Sequence, residues 1–139
     1  MKRLTFILTS LLCAMILFAQ TTSTDKLTKR ERKRNLVVKE WNTDGKTKTR
    51  YLDHMTTYDA NGMKLEEVEY TTYGQKERNT YEYNEVGKVI KRVVYDDKDR
   101  PYRIYKYEYN PDGTKHKRYC YSPQGKLLTT KVYEYIYGD

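Results

Sequence analysis

The chain has 139 residues, a formal net charge of +8, and 16 tyrosines against only 2 phenylalanines and 1 tryptophan. That is the length of one domain. With only two cysteines, Cys13 in an apolar start and Cys120 far downstream, a disulfide-stapled framework is excluded once the start is removed.

Residues 1–19 read as a secretory signal. Lys2 and Arg3 form a basic start, Leu4 to Phe18 is almost wholly apolar, and Ala19 offers a small residue at the cleavage position, with Gln20 as the new N-terminus. The apolar run of about fifteen residues is short of the roughly 20 that a membrane span needs. An uncleaved membrane anchor is one alternative. A lipid anchor at Cys13 is the other, although Leu11 and Leu12 lack the small residue that such processing requires. The expected location is the periplasm, the outer membrane or the exterior. Residues 1–19 hold two bases and no acid, so the remainder carries +6.

Residues 20–34 form a basic arm, with Lys29, Arg30, Arg32, Lys33 and Arg34 close together and no apolar stripe. We expect it to be mobile. Charge alone would let it dock on anionic lipid or lipopolysaccharide; otherwise it is a solvated tail.

Residues 35–139 are a tyrosine-rich repeat domain. Tyr81-Glu82-Tyr83, Tyr107-Glu108-Tyr109 and Tyr133-Glu134-Tyr135 recur every 26 residues, and Thr56-Thr57-Tyr58 fits the same slot. Most copies run into a turn, as at Tyr58-Asp59-Ala60-Asn61-Gly62, Tyr83-Asn84-Glu85-Val86-Gly87 and Tyr109-Asn110-Pro111-Asp112-Gly113. Weaker turns fall half-way, at Tyr70 to Gly74, Tyr95 to Asp99 and Tyr121 to Gly125, and Trp41 to Gly45 extends the series backwards. Asn and Asp bond their own backbone at turn starts, and glycine accepts the positive φ that closes the turn. A strand of about eight residues and a turn of four or five give a hairpin unit, and short loops make its strands antiparallel.

The fold class is therefore all-β: an antiparallel meander of about eight strands, expected as an open twisted sheet, with a small closed barrel as the alternative. Alternation puts Tyr105, Tyr107 and Tyr109 on one face with Tyr102 and Ile104 opposite. In the preceding strand it puts Val89, Val93 and Tyr95 on one face with Ile90 and Val94 on the other. Tyrosine rings and lysine and arginine stems supply most of the apolar surface.

The Tyr-Asp-Ala-Asn-Gly sequence at 58–62 and its variants at 83–87 and 109–113 resemble the YD-type repeats of Rhs and teneurin-like shells. They also resemble the repeats of small exported Bacteroidota proteins and of YwqK-like antitoxin proteins. The likeness covers roughly residues 41 to 137 and departs from the Rhs pattern at Lys88 and Lys126, where an arginine usually follows the glycine. It implies strand–turn architecture and no particular activity; the antitoxin likeness adds an immunity-like, toxin-capping role as a reading.

The residues predict no enzyme, no metal and no cofactor. His54 and His116 stand apart, and Ser23 and Ser122 lack a nucleophile's setting. Asp96-Asp97-Lys98-Asp99 reads as a turn that lost its glycine rather than a calcium loop. Glu82 and Glu108 recur with the repeat, as ladder positions do. The expected function is a binding or scaffold module that offers its sheet surface or an edge to an envelope or secreted protein. The candidate edges are the segment near Leu36 to Trp41 and Leu127 to Tyr137, where self-association is also open. The candidate surface is Tyr81, Tyr83, Tyr105, Tyr107, Tyr109, Tyr133 and Tyr135. The runner-up is a polyanion or glycan binder using tyrosine, lysine and arginine rows; export counts against nucleic acid.

Overall fold

The computed structural model describes residues 29–138. The signal read over residues 1–19, and the arm up to residue 28, lie outside the described residues. Eight strands follow in order: β1 (Val37–Thr43), β2 (Arg50–Tyr58), β3 (Lys64–Thr71), β4 (Gly74–Tyr83), β5 (Val89–Tyr95), β6 (Pro101–Tyr109), β7 (Lys115–Tyr121) and β8 (Leu127–Val132). They form one antiparallel sheet in the order β1 to β8, so the meander is open and β1 and β8 are its two edges. The barrel alternative is thereby excluded.

Five turns share one geometry. In each, the residue after the tyrosine (Asp59, Asn84, Asp96, Asn110 or Ser122) donates its backbone N–H to the carbonyl four residues on. It also accepts a bond from the N–H three residues on. The residue at that third position has positive φ: Gly62 at 71°, Gly87 at 78°, Gly113 at 84°, Gly125 at 85°, and Asp99 at 59°. Asp99 thus occupies the glycine's place, as the sequence implied. Aspartate tolerates this conformation better than most side chains. The β1–β2 turn departs from the series, because its left-handed residue is Lys48, at 60°, and not Gly45. Asp44 organises that loop by accepting from the backbones of Lys46 and Thr47.

Each of the five turns ends in a register shift. Tyr58 pairs with Lys64, Tyr83 with Val89, Tyr95 with Pro101, Tyr109 with Lys115 and Tyr121 with Leu127. One residue per turn is left opposite nothing: Leu65, Ile90, Tyr102, His116 and Leu128. Such a bulge breaks the two-residue alternation of side chains. It corrects two face assignments. Val89 pairs with Tyr83 and joins Val94 on the tyrosine face. Tyr102 reaches Glu77 on that same face, its hydroxyl donating at 2.7 Å. The bulges also account for exposed apolar side chains at Leu65, Ile90, Tyr102 and Leu128.

Burial is thin. Val68, Val94 and Cys120 are the buried apolar residues, with Thr56 and Asn79 beside them. A single sheet covers little of itself, so all five lie on strands between the two edges and β8 is exposed throughout. Regular strand structure stops at Val132, short of the expected Tyr137; beyond it Tyr133 still donates its N–H to the His116 carbonyl.

Candidate functional site

The predicted tyrosine surface is one face. Tyr81 pairs with Arg92, Arg92 with Tyr105, and Tyr107 with Arg118. Directly opposed residues project to the same side, so alternation carries Tyr83 and Tyr109 onto that face with them. Tyr133 follows two residues after Lys131, which opposes Arg118.

These tyrosines are largely committed to the fold. The second tyrosine of each Tyr-Glu-Tyr donates its hydroxyl to the backbone two residues beyond a turn glycine. Tyr83 bonds the Lys64 carbonyl at 2.8 Å, Tyr109 that of Val89 at 2.7 Å, and Tyr135 that of Lys115 at 3.0 Å. Tyr81 donates to Glu67 at 2.9 Å. Burial, reinforced by the Glu67 bond, pushes the Tyr81 phenol well above its ordinary value. Burial also raises Tyr83, Tyr107 and Tyr109. For Glu67 burial alone would raise the carboxyl, but bonds from Lys64 and Tyr81 outweigh it and hold the group below its usual range.

Cations cover the rings. The Arg92 and Arg118 guanidinium carbons lie 4.6 Å and 5.1 Å from the Tyr105 ring centre. Lys115 lies 5.3 Å from Tyr107, and Lys131 lies 5.2 Å from Tyr133. Each such contact contributes about 0.5–1 kcal/mol at an exposed site, and more when desolvated. The Nε atoms of Arg92 and Arg118 are buried and meet no hydrogen-bond partner. The repeat in the sequence marks the tyrosines but not these two arginines. Their same-face pairing with Tyr81, Tyr105 and Tyr107 was open to strand alternation once register was known.

Charge divides the tyrosine face. From β1 to β4 it carries Glu40, Glu67, Glu69 and Glu77, paired in register with neighbours such as His54. From β5 to β8 it carries Arg92, Arg103, Arg118 and Lys131, with no carboxylate opposite any of them. The opposite face mixes both signs, with Lys106 opposite Lys91. Lys91 pairs with Glu82 at 2.7 Å, and Glu108 stands opposite Lys117, so both repeating glutamates are ladder residues. Arg78 bridges Glu66 at 2.9 Å and Asp99 at 2.6 Å.

The basic arm is seated where it enters the described residues. Lys29 to Glu31 form a short helical turn. The Arg30 carbonyl lies so close to Gly62 that a Cβ there would come within 2.0 Å of it, and the Arg30 guanidinium lies over Gly87. Lys33 donates to the Tyr58 hydroxyl at 3.3 Å and covers its ring at 4.7 Å. Asn35 N–H bonds the Asp59 carbonyl. A cleft of about 790 Å³ opens between this segment and the turns at Asp59 and Asn84, with Arg30, Arg34, Glu31, Asp59 and Glu82 mixing both charges on its walls.

The remaining sequence candidates fall to structural places. Asp96 accepts from the Lys98 and Arg100 backbones and pairs with the Arg100 side chain, while Asp99 is held by Arg78. Among the described residues no three His, Cys, Asp or Glu side chains group as a metal site. His54 meets Asp53 at 3.1 Å. Cys120 is a free thiol, 5% exposed, inside the sheet.

No protein-family model matches the chain, and no characterised protein matches it in sequence.

Proposed function

We propose that this chain is a non-enzymatic binding module of the cell envelope, exported by its residue 1–19 leader, that takes an extended segment of a partner protein onto the free edge of β8. The observation that carries this reading is the state of that strand. All six residues of β8 are exposed, including Leu127, Leu128 and Val132 at 49%, 41% and 61%. It pairs with β7 on one side only. An unpaired edge offers a row of backbone donors and acceptors, and an added strand satisfies them while its side chains meet the flanking apolar positions. The β1 edge is better guarded, since Lys39 and Glu40 place charges in it, and charges on an edge discourage strand addition.

The test is site-specific crosslinking from a photoreactive residue at Leu128 in full-length protein exposed to envelope extract. The expected product is one discrete protein adduct that is lost when T130K/V132K is added to the same photoreactive chain with its melting temperature unchanged. An adduct indifferent to the two lysines would remove the edge from consideration. An adduct consisting only of a second copy of the chain would replace partner binding with self-association.

A further inference from the structure

The surplus of cations on the β5–β8 half of the tyrosine face has no counterpart within the sheet. Elsewhere the chain pairs a half-buried arginine thoroughly: Arg78 has Glu66, Asp99 and the Tyr95 ring at 3.8 Å. Arg92 and Arg118 have a ring, Tyr105, and no carboxylate. Their Nε donors are buried without an acceptor, so their desolvation is left uncompensated within the sheet. Contact with the Tyr105 ring holds both guanidinium groups in place. A guanidinium held in place presents its outer N–H groups to a carboxylate or sulfate as a fork. Lys131, opposite Arg118 on exposed β8, continues the row.

We propose that Arg92, Arg118 and Lys131 form a binding strip for an acidic polysaccharide that lies across strands β5 to β8. Arg92 and Arg118 sit two strands apart, about 10 Å at the usual strand spacing. That wide interval suits a chain that carries a carboxylate on alternate sugars. Single-stranded nucleic acid fits less well, because it binds by stacking bases on free aromatic faces. Here the Tyr105 ring is covered by guanidinium groups, and the hydroxyls of Tyr81, Tyr83 and Tyr109 are tied into the fold. The strip is open and unenclosed, as a polymer requires. Arg92 and Arg118 stand on β5 and β7, off the β8 edge, so R92Q/R118Q leaves that edge intact.

The experiment measures retention of the full-length protein by hyaluronan, whose carboxylates fall on alternate sugars, with dextran as the neutral polymer and oligo(dT) as the nucleic-acid competitor. Wild-type protein is expected to bind hyaluronan in a salt-sensitive manner and to ignore dextran. R92Q/R118Q should weaken binding by about ten-fold or more, whereas K39Q/K126Q, which removes the same charge elsewhere, should leave it within about two-fold. If R92Q/R118Q does not fold, K131Q on the exposed strand should still weaken binding by about three-fold. Equal affinities for wild type, R92Q/R118Q and K131Q would overturn the proposal. So would equal losses in R92Q/R118Q and K39Q/K126Q, or tighter binding of oligo(dT) than of hyaluronan at matched charge.

Discussion

The β1–β4 and β5–β8 halves of the tyrosine face have the same backbone and different chemistry. The common bulged turn occurs in both, at Asp59 in the first and at Asp96, Asn110 and Ser122 in the second, and so does the tyrosine-to-carbonyl staple, at Tyr83 and at Tyr109. In the first half the polar groups between the tyrosines close on one another: Tyr81 on Glu67, Lys64 on Glu67 and Asn79 on Glu77. In the second half Arg92 and Arg118 close only on Tyr105. The repeated positions fix geometry, and the positions between them are free to carry charge of either sign. A repeat of this kind can therefore hold a site without interrupting its period.

The largest test contrasts turn glycines from the two halves. Gly62→Ala should cost several kcal/mol, since it combines positive φ with a Cβ driven into the Arg30 carbonyl. Gly125→Ala has the φ strain alone and nothing within 4 Å, and should cost about 1–2 kcal/mol. Chemical denaturation of both variants decides it; equal losses would mean that the residue 29–36 segment does not bear on Gly62.

Alkaline pH should unfold the domain cooperatively. Tyr81, Tyr83, Tyr107 and Tyr109 have folded-state pKa values raised above the ordinary phenol value. Their stabilising contribution is complete below the unfolded value near 10. It is lost as pH rises from there through the folded values, because the unfolded chain releases its protons first. Melting temperature should be flat from neutral pH to about 9.5 and fall steeply above it. Phenolate absorbance should lag behind free tyrosine, with Tyr81, in the acidic half, the last of the four to ionise. Tyr102, raised to about 12 chiefly by its bond to Glu77, belongs to the same late group.

Single polar substitutions should separate the halves further. Glu67→Gln removes the charged acceptor shared by Lys64 and Tyr81 and should cost about 1–3 kcal/mol. Tyr83→Phe and Tyr109→Phe each delete one staple and should cost about 0.5–1.5 kcal/mol, equally in the two halves; Tyr135→Phe, at the exposed end, should cost less. Arg118→Gln should shift stability by about 0.5 kcal/mol or less, because the ring contact it loses is offset by removal of a buried unpaired donor. Urea melts of this series check the order. A large loss at Arg118 would show that its contact with Tyr105 holds the sheet, and the two halves would then be equally structural.

The sequence by itself determined the strand count, the antiparallel order, the tyrosine face and the place of every turn after the first, which lies beyond the expected Trp41 to Gly45, at Asp44 to Thr49. Each of these depends on spacing along the chain: tyrosines two apart share a face, and an Asn, Asp or Ser three residues before a left-handed position closes a loop. Even the turn without glycine was legible, since Asp99 keeps the position that Gly87 and Gly113 hold in their own turns. Tertiary structure alone decided what depends on register between strands. The bulge after each turn moved Val89 and Tyr102 to the face opposite the one that simple alternation gave them. It also set Arg92 and Arg118 on either side of Tyr105, 26 residues apart in sequence and two strands apart in space. The seat of Arg30 on Gly62 was equally hidden, because a basic run with no apolar stripe carries no periodic signal. The contact that holds it is a backbone carbonyl against a glycine, which leaves no mark in side-chain pattern.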